Sequence, residues 1–264
     1  MYEPTHPTAQ IEALLFAPQP FAGIAGIVGV ENDFVTTSYH RLTFDVDPNG
    51  ILGGRHYGNT ALADVRAPAY AKKQDTVLNR QSISIVDAAG MDHYTQLLEL
   101  DPEVCLRQQA EQASLSRQDM LTRIAAQLCL TPKLLEIEPQ RITRLFLARQ
   151  LGANVLLGDF RGTQAIPEFR AMPSGYDFGP YNPLAGKFSG ATVMIYAVND
   201  PCIAPGKKIE AAYPADQGAP DKAKRFAADK ENHRGFVGPV AKAGEMTVGQ
   251  RVIFNPPRGR IPRQ

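Results

Sequence analysis

Helical periodicity in this chain is concentrated in residues 101–151, and most of what lies outside reads as short apolar runs broken by turns. Asp101-Pro102 offers an N-cap followed by proline at the first helical position, where the missing N–H has no helical partner to lose. Ser116 and Asp119 stand at capping-box spacing. Met120, Leu121, Ile124, Ala125 and Leu128 then recur at helical intervals. Thr131-Pro132 opens a further helix, and Ile142, Leu145, Phe146 and Arg149 mark another that stops near Gly152. These apolar stripes read as core rather than as a cofactor box. Cys105 and Cys129 lie among them and read as structural.

The remainder follows the period of strands. Residues 11–16 form an apolar run closed by Pro18 and Pro20, and residues 24–30 a second, glycine-rich one. Residues 41–46 alternate, with Leu42, Phe44 and Val46 on one face, and Asp47-Pro48-Asn49-Gly50 is a strong turn. Residues 81–86 alternate again, with Ile83 and Ile85 inward, and Asp87 reads as the N-cap of a helix reaching about Leu98. Residues 154–157 return to strand with Gly158-Asp159 as the turn, residues 166–172 form another short strand, and residues 174–189 read as a long loop. A strand at 193–198 breaks at Asn199-Asp200-Pro201. Residues 217–229 read as an amphipathic helix exposing Lys222, Lys224 and Arg225. Strands at 234–241 and 250–254 flank a hairpin-like return at 242–249. The fold class that follows is mainly β with α insertions, a β-barrel carrying one helical insertion at about 101–151. No break in composition marks a boundary, so residues 1–264 read as one domain.

Charge excludes some partners. Lys plus Arg number 28 against 27 Asp plus Glu, so no basic surplus points to nucleic acid. The apolar run at 24–30 is too short to span a bilayer, and the start lacks a basic leader; we expect a soluble, cytoplasmic chain with no membrane contact. Three widely spaced cysteines form neither a disulfide framework nor a zinc knuckle and suit a reducing compartment.

One of the three stands apart. Cys202 follows the break at 199–201 and is followed by Pro205, Gly206, Lys207 and Lys208. A thiol held just past a strand end, near cations that favour its thiolate, suits a ligand or a nucleophile. The same residue also reads as an ordinary small hydrophobe. Gly53-Gly54-Arg55-His56-Tyr57-Gly58 sets glycines around two cationic or titratable side chains. Such a loop lets backbone approach an anion and also occurs as plain solvated loop.

The order of these motifs resembles the MOSC domain, named for the C-terminal domain of molybdenum cofactor sulfurases. Five places carry the resemblance: Gly53-Gly54-Arg55-His56-Tyr57-Gly58, Gln81-Ser82-Ile83-Ser84-Ile85-Val86-Asp87-Ala88, Leu151-Gly152-Ala153-Asn154-Val155-Leu156, Pro201-Cys202, and Arg234-Gly235 with the later Gly244-Glu245 and Val248-Gly249. They run in order over about residues 24–254. Gly54 stands where the family has aspartate, and the helical stretch is longer than the family's. The resemblance implies a MOSC-type β-barrel that receives the molybdenum cofactor (molybdopterin), with Cys202 as molybdenum ligand or sulfur carrier. Arg55, His56, Arg149 and Arg234 would receive the cofactor's anionic phosphate, Asn154 would meet pterin edges, and His233 would donate a proton. The activity implied is reduction of N-hydroxylated small molecules, served by a redox or sulfur-donor partner protein. A non-catalytic carrier or interaction module is the alternative. The aminotransferase-like domain of full sulfurases is absent from the sequence, so no pyridoxal phosphate site is expected.

Overall fold

The computed structural model describes residues 8–16, 39–40, 43–52, 82–161, 175–178, 181–182, 187–188, 190–195, 197–198, 203–213, 221–229 and 235–255. The strands are β1 (Thr8–Phe16), β2 (Tyr39–His40), β3 (Thr43–Asp47), β4 (Gly50–Ile51), β5 (Ser82–Asp87), β6 (Val155–Arg161) and β7 (Gly175–Phe178). They continue with β8 (Tyr181–Asn182), β9 (Lys187–Phe188), β10 (Thr192–Met194), β11 (Ala197–Val198), β12 (Phe236–Lys242), β13 (Gly244–Thr247) and β14 (Arg251–Asn255). The helices are α1 (Ala88–Leu97), α2 (Pro102–Gln112), α3 (Arg117–Gln127), α4 (Pro132–Ile137), α5 (Gln140–Gln150), α6 (Ile203–Ala212) and α7 (Lys222–Ala228).

The main sheet runs β10-β7-β14-β1-β6-β5-β12-β11, with β2 added on β1. It curls strongly, because β10 pairs β7 through Val193 and Tyr176 and also pairs β12 through Val193 and Val240. Among the described pairings one is parallel: Ile85 lies beside Val155 and Asp87 beside Leu157. Parallel neighbours need a crossover, since no tight turn can join them. Residues 88–150 supply it, so α1 to α5 are that connection rather than an ornament on a loop. The result is a mixed α/β molecule, curled sheet on one side and helical layer on the other.

Strand alternation sorts the apolar side chains into two cores. Ala13, Leu15, Val86 and Leu156 pack with Met91, Tyr94, Leu145, Phe146 and Phe226 of the helices. Ala9, Ile11, Ile83, Ile85 and Val155 face the other way, onto Phe178, Val193 and Val252. A smaller sheet, β13-β3-β4, brings Phe44, Val46, Ile51 and Met246 into that second core. Burying either set supplies the main driving force for the fold.

The caps read from the sequence form. Asp87, Asp101, Ser116 and Thr131 each accept from a backbone N–H three residues on, at 2.8, 2.9, 3.1 and 3.2 Å. The turn at 47–50 forms with Asn49 N–H donating to Asp47 Oδ1 at 2.7 Å. No described helix is long and apolar enough to cross a membrane.

The strand expected at residues 11–16 does form, as β1, a central strand that pairs β6 and β14. Several other expectations need correction. Residues 158–159 are not a turn: β6 runs on to Arg161, and Gly158 is there because a side chain would collide with the Glu12 carboxylate on β1. The expected loop at 174–189 contains β7, which joins the main sheet, and β8 and β9, which pair with each other. β13 pairs β3 instead of folding back on a sequence neighbour. Residues 203–212 are helical. Pro205 falls in the first turn, where proline is tolerated, and Gly206 sits where α6 crosses the backbone of Ala223 on α7. Lys222 is buried, at 3% exposure, with its ammonium 4.9 Å from the centre of the Tyr213 ring. Residues 24–30 and 166–172 lie outside the described residues.

Candidate functional site

At the end of the sheet where β11, β12 and β5 meet, β11 ends a few residues before Cys202 and β12 begins just after Arg234 in the sequence. Val198 on β11 pairs Phe236 on β12, and Phe236 pairs Ile85 on β5. The chain therefore leaves β11 and enters β12 at the same end, next to Asp87, where β5 gives way to α1. Residues 199–202 follow β11 directly, and α6 begins at Ile203. Residues 233–234 directly precede Gly235.

Gly235 explains the Arg-Gly pair in chemical terms. Its φ is +86°, a left-handed conformation that a side chain disfavours, and a Cβ there would run into the Ile85 carbonyl oxygen. Only glycine lets the backbone turn this closely past β5 into β12. Cys202, Arg55, His56, His233 and Arg234 themselves lie outside the described residues.

Asn154 is described, and its side chain is engaged by the backbone of two other strands. Its Oδ1 accepts from Ser84 N–H at 2.9 Å, and its Nδ2 donates to the Leu15 carbonyl at 3.3 Å. Its own N–H donates to the Ser84 carbonyl at 2.8 Å, and its carbonyl accepts from Leu15 N–H at 2.8 Å. One residue thus ties β1, β5 and the start of β6 together. It lies level with Ser84, three residues short of Asp87, or about 10 Å along the strand from that end.

Arg149 belongs to the helical layer. It stands in the last turn of α5 and donates to Gln109 Oε1 on α2 at 2.8 Å. Burial, and then the nearby Arg123 guanidinium, bring its pKa down to about 10. It remains cationic at neutral pH.

A further cluster joins α1 to α7. Tyr94 OH on α1 donates to Asp229 Oδ2 at 2.9 Å, and His93 Nε2 lies 3.4 Å from Asp229 Oδ1. Asp229 is the C-cap of α7, and its side chain is 5% exposed against 30% for His93. The cluster therefore anchors the C-terminal end of α7 against α1. Nothing in the sequence signals it, because the partners are 135 residues apart and meet only when α1 packs on α7. Among the described residues, no group of three His, Cys, Asp or Glu is placed to hold a metal ion.

No family model matches the chain. A protein of Bacillus subtilis (strain 168), YuaD, provisionally named for metal-sulfur cluster biosynthesis, is 26% identical over 231 residues, 88% of this chain and 88% of its own. The crystal structure of the YuaD protein from Bacillus subtilis matches with a TM-score of 0.55 at 20% identity, covering 95% of this chain and 97% of that one. At that identity the structural likeness speaks for the fold alone.

Proposed function

We propose that this chain handles sulfur, with Cys202 carrying it as a persulfide toward a metal–sulfur product. The observation behind this reading is the start of α6. A ten-residue helix begins at the residue after Cys202, a few residues beyond the end of β11. The first turn of this helix offers the N–H groups of Ile203 and Ala204, Pro205 having none, and the positive end of the macrodipole, and both favour an anionic sulfur on the residue before it. The name given to YuaD accords with such a role.

The step balances without further reagents once a donor persulfide is supplied. The Cys202 thiolate attacks the outer sulfur of the donor, a new S–S bond forms, the donor's S–S bond breaks, and the donor leaves as a thiolate. The partner this requires is a sulfur-donor protein.

A second reading keeps Cys202 as a ligand to molybdenum in a pterin cofactor, on a MOSC-type barrel that reduces N-hydroxylated compounds. The donor chemistry fits. Thiolate is a soft ligand suited to such a metal, and β11, which precedes Cys202 in the sequence, ends at the end of the sheet where β12, which follows Arg234, begins. Arg55, His56 and Arg234 would bind the phosphate, His233 would donate a proton, and Cys202 would hold the metal. The bound group would supply the redox chemistry. The return of β10 onto β12 favours the barrel.

Incubation with a persulfide donor, followed by mass spectrometry, separates the readings. A gain of one sulfur on the Cys202 peptide, lost in Cys202→Ser, is the expected result. No gain, together with metal and pterin retained by wild type but not by Cys202→Ser when purified from a host that makes the cofactor, would replace the first reading with the second.

A further inference from the structure

The seam between sheet and helical layer contains a charge cluster that the proposed sulfur chemistry does not use. Glu12, on the central strand β1, points into this seam with its side chain 3% exposed. Its Oε1 accepts from Arg141 Nη1 on α5 at 2.8 Å. Its Oε2 has no hydrogen-bond partner, and the nearest cation, Arg144 Nη1, is 3.8 Å away. Both arginines are already committed to other acids. Arg144 grips Asp92 of α1 through Nε and Nη2, at 2.7 and 2.6 Å, and Arg141 Nε donates to Glu138, just before α5.

Three carboxylates thus share two guanidinium groups, which leaves one negative charge in excess. Asp92 and Glu138 have side chains 35% and 34% exposed, so water supports them, whereas Glu12 has no such access. From β6 its neighbour is Gly158, which brings no charge. An ionised carboxylate with one oxygen unsolvated and unbonded is costly, and adding a proton is the simplest relief.

We propose that Glu12 is a buried proton-binding site: the folded chain takes up a proton at Oε2 more readily than an exposed glutamate does, so the seating of α5 on β1 depends on pH. Burial raises the affinity of this carboxyl for a proton, while Arg141 and Arg144 oppose it without prevailing. The groups that face Glu12 are Arg141 and Arg144 of α5 and Asp92 of α1, with Glu138 behind Arg141.

The sign of the stability effect follows from linkage. An acid whose folded pKa is raised contributes stability below its unfolded value, near 4.5, and loses it as pH rises through the folded value. Wild type and Glu12→Gln, a variant of nearly equal shape, are unfolded in urea across that range. The wild-type midpoint should fall relative to the variant as pH rises. In parallel, carboxyl carbon NMR of wild type labelled at glutamate should show one resonance, missing from the variant, that titrates above the ordinary glutamate range. If Glu12→Gln does not fold, infrared spectra of the same labelled wild type should show a buried protonated carboxyl above that range. A midpoint difference that stays constant with pH, or a Glu12 carboxyl that ionises at the ordinary value, would overturn the proposal.

Discussion

Replacing Asn154 with alanine tests whether the amide is a structural clamp or a contact for a ligand. The substitution removes two hydrogen bonds, one from Ser84 N–H at 2.9 Å and one to the Leu15 carbonyl at 3.3 Å. Leu15 is fully buried, so its carbonyl is left without that donor in a dry environment. An orphaned buried polar group costs roughly 1–3 kcal/mol, and the longer bond belongs at the low end, giving a loss of about 2–4 kcal/mol. At about 2 kcal/mol per molar of urea, the unfolding midpoint should move down by roughly 1–2 M. Asn154→Asp makes the argument sharper. Aspartate still accepts from Ser84 N–H but sets an acceptor against the Leu15 carbonyl, so it should destabilise at least as much as alanine. The assay is urea unfolding followed by circular dichroism. A loss of less than about 0.5 kcal/mol in Asn154→Ala would refute the clamp, since that is the range of an ordinary surface substitution.

Two further outcomes follow from the geometry. Gly235→Ala forces a side chain onto a φ of +86° and against the Ile85 carbonyl; it should cost about 3 kcal/mol or more, which thermal unfolding would reveal, and an unchanged melting temperature would contradict the corner as described. Burial pushes the Cys105 thiol well above the ordinary cysteine range, whereas Cys129 is exposed, so a disulfide reagent applied to the native protein should label Cys129 and spare Cys105 until urea is added.

Local signals told most where local physics decides the structure. Asp87, Asp101, Ser116 and Thr131 cap helices as their neighbours in sequence suggest, and Ile83 and Ile85 are buried as their alternation requires. Errors arose where distant contacts override a residue's usual habit. Gly158 resembles a turn residue until Glu12 comes to lie on it. Lys222 looks solvent-facing on a helical wheel, yet the Tyr213 ring covers it. Asn154 illustrates the same limit at the candidate site: its polarity and position were visible in the sequence, but the two backbone groups it serves belong to strands at residues 15 and 84. The Glu12 cluster was invisible for that reason too, since Arg141 comes 129 residues later in the chain.

The parallel alignment of β5 and β6 bears on how this architecture can vary. Asp87 and Leu157 sit side by side, yet all of α1 to α5 lies between them in the chain. A crossover by itself needs only about a dozen residues to bring the second strand back in the same direction, so the length beyond that serves to cover the first core. Trimming the connection to a tight loop would reverse β6, and Asn154 would then no longer meet both Leu15 and Ser84.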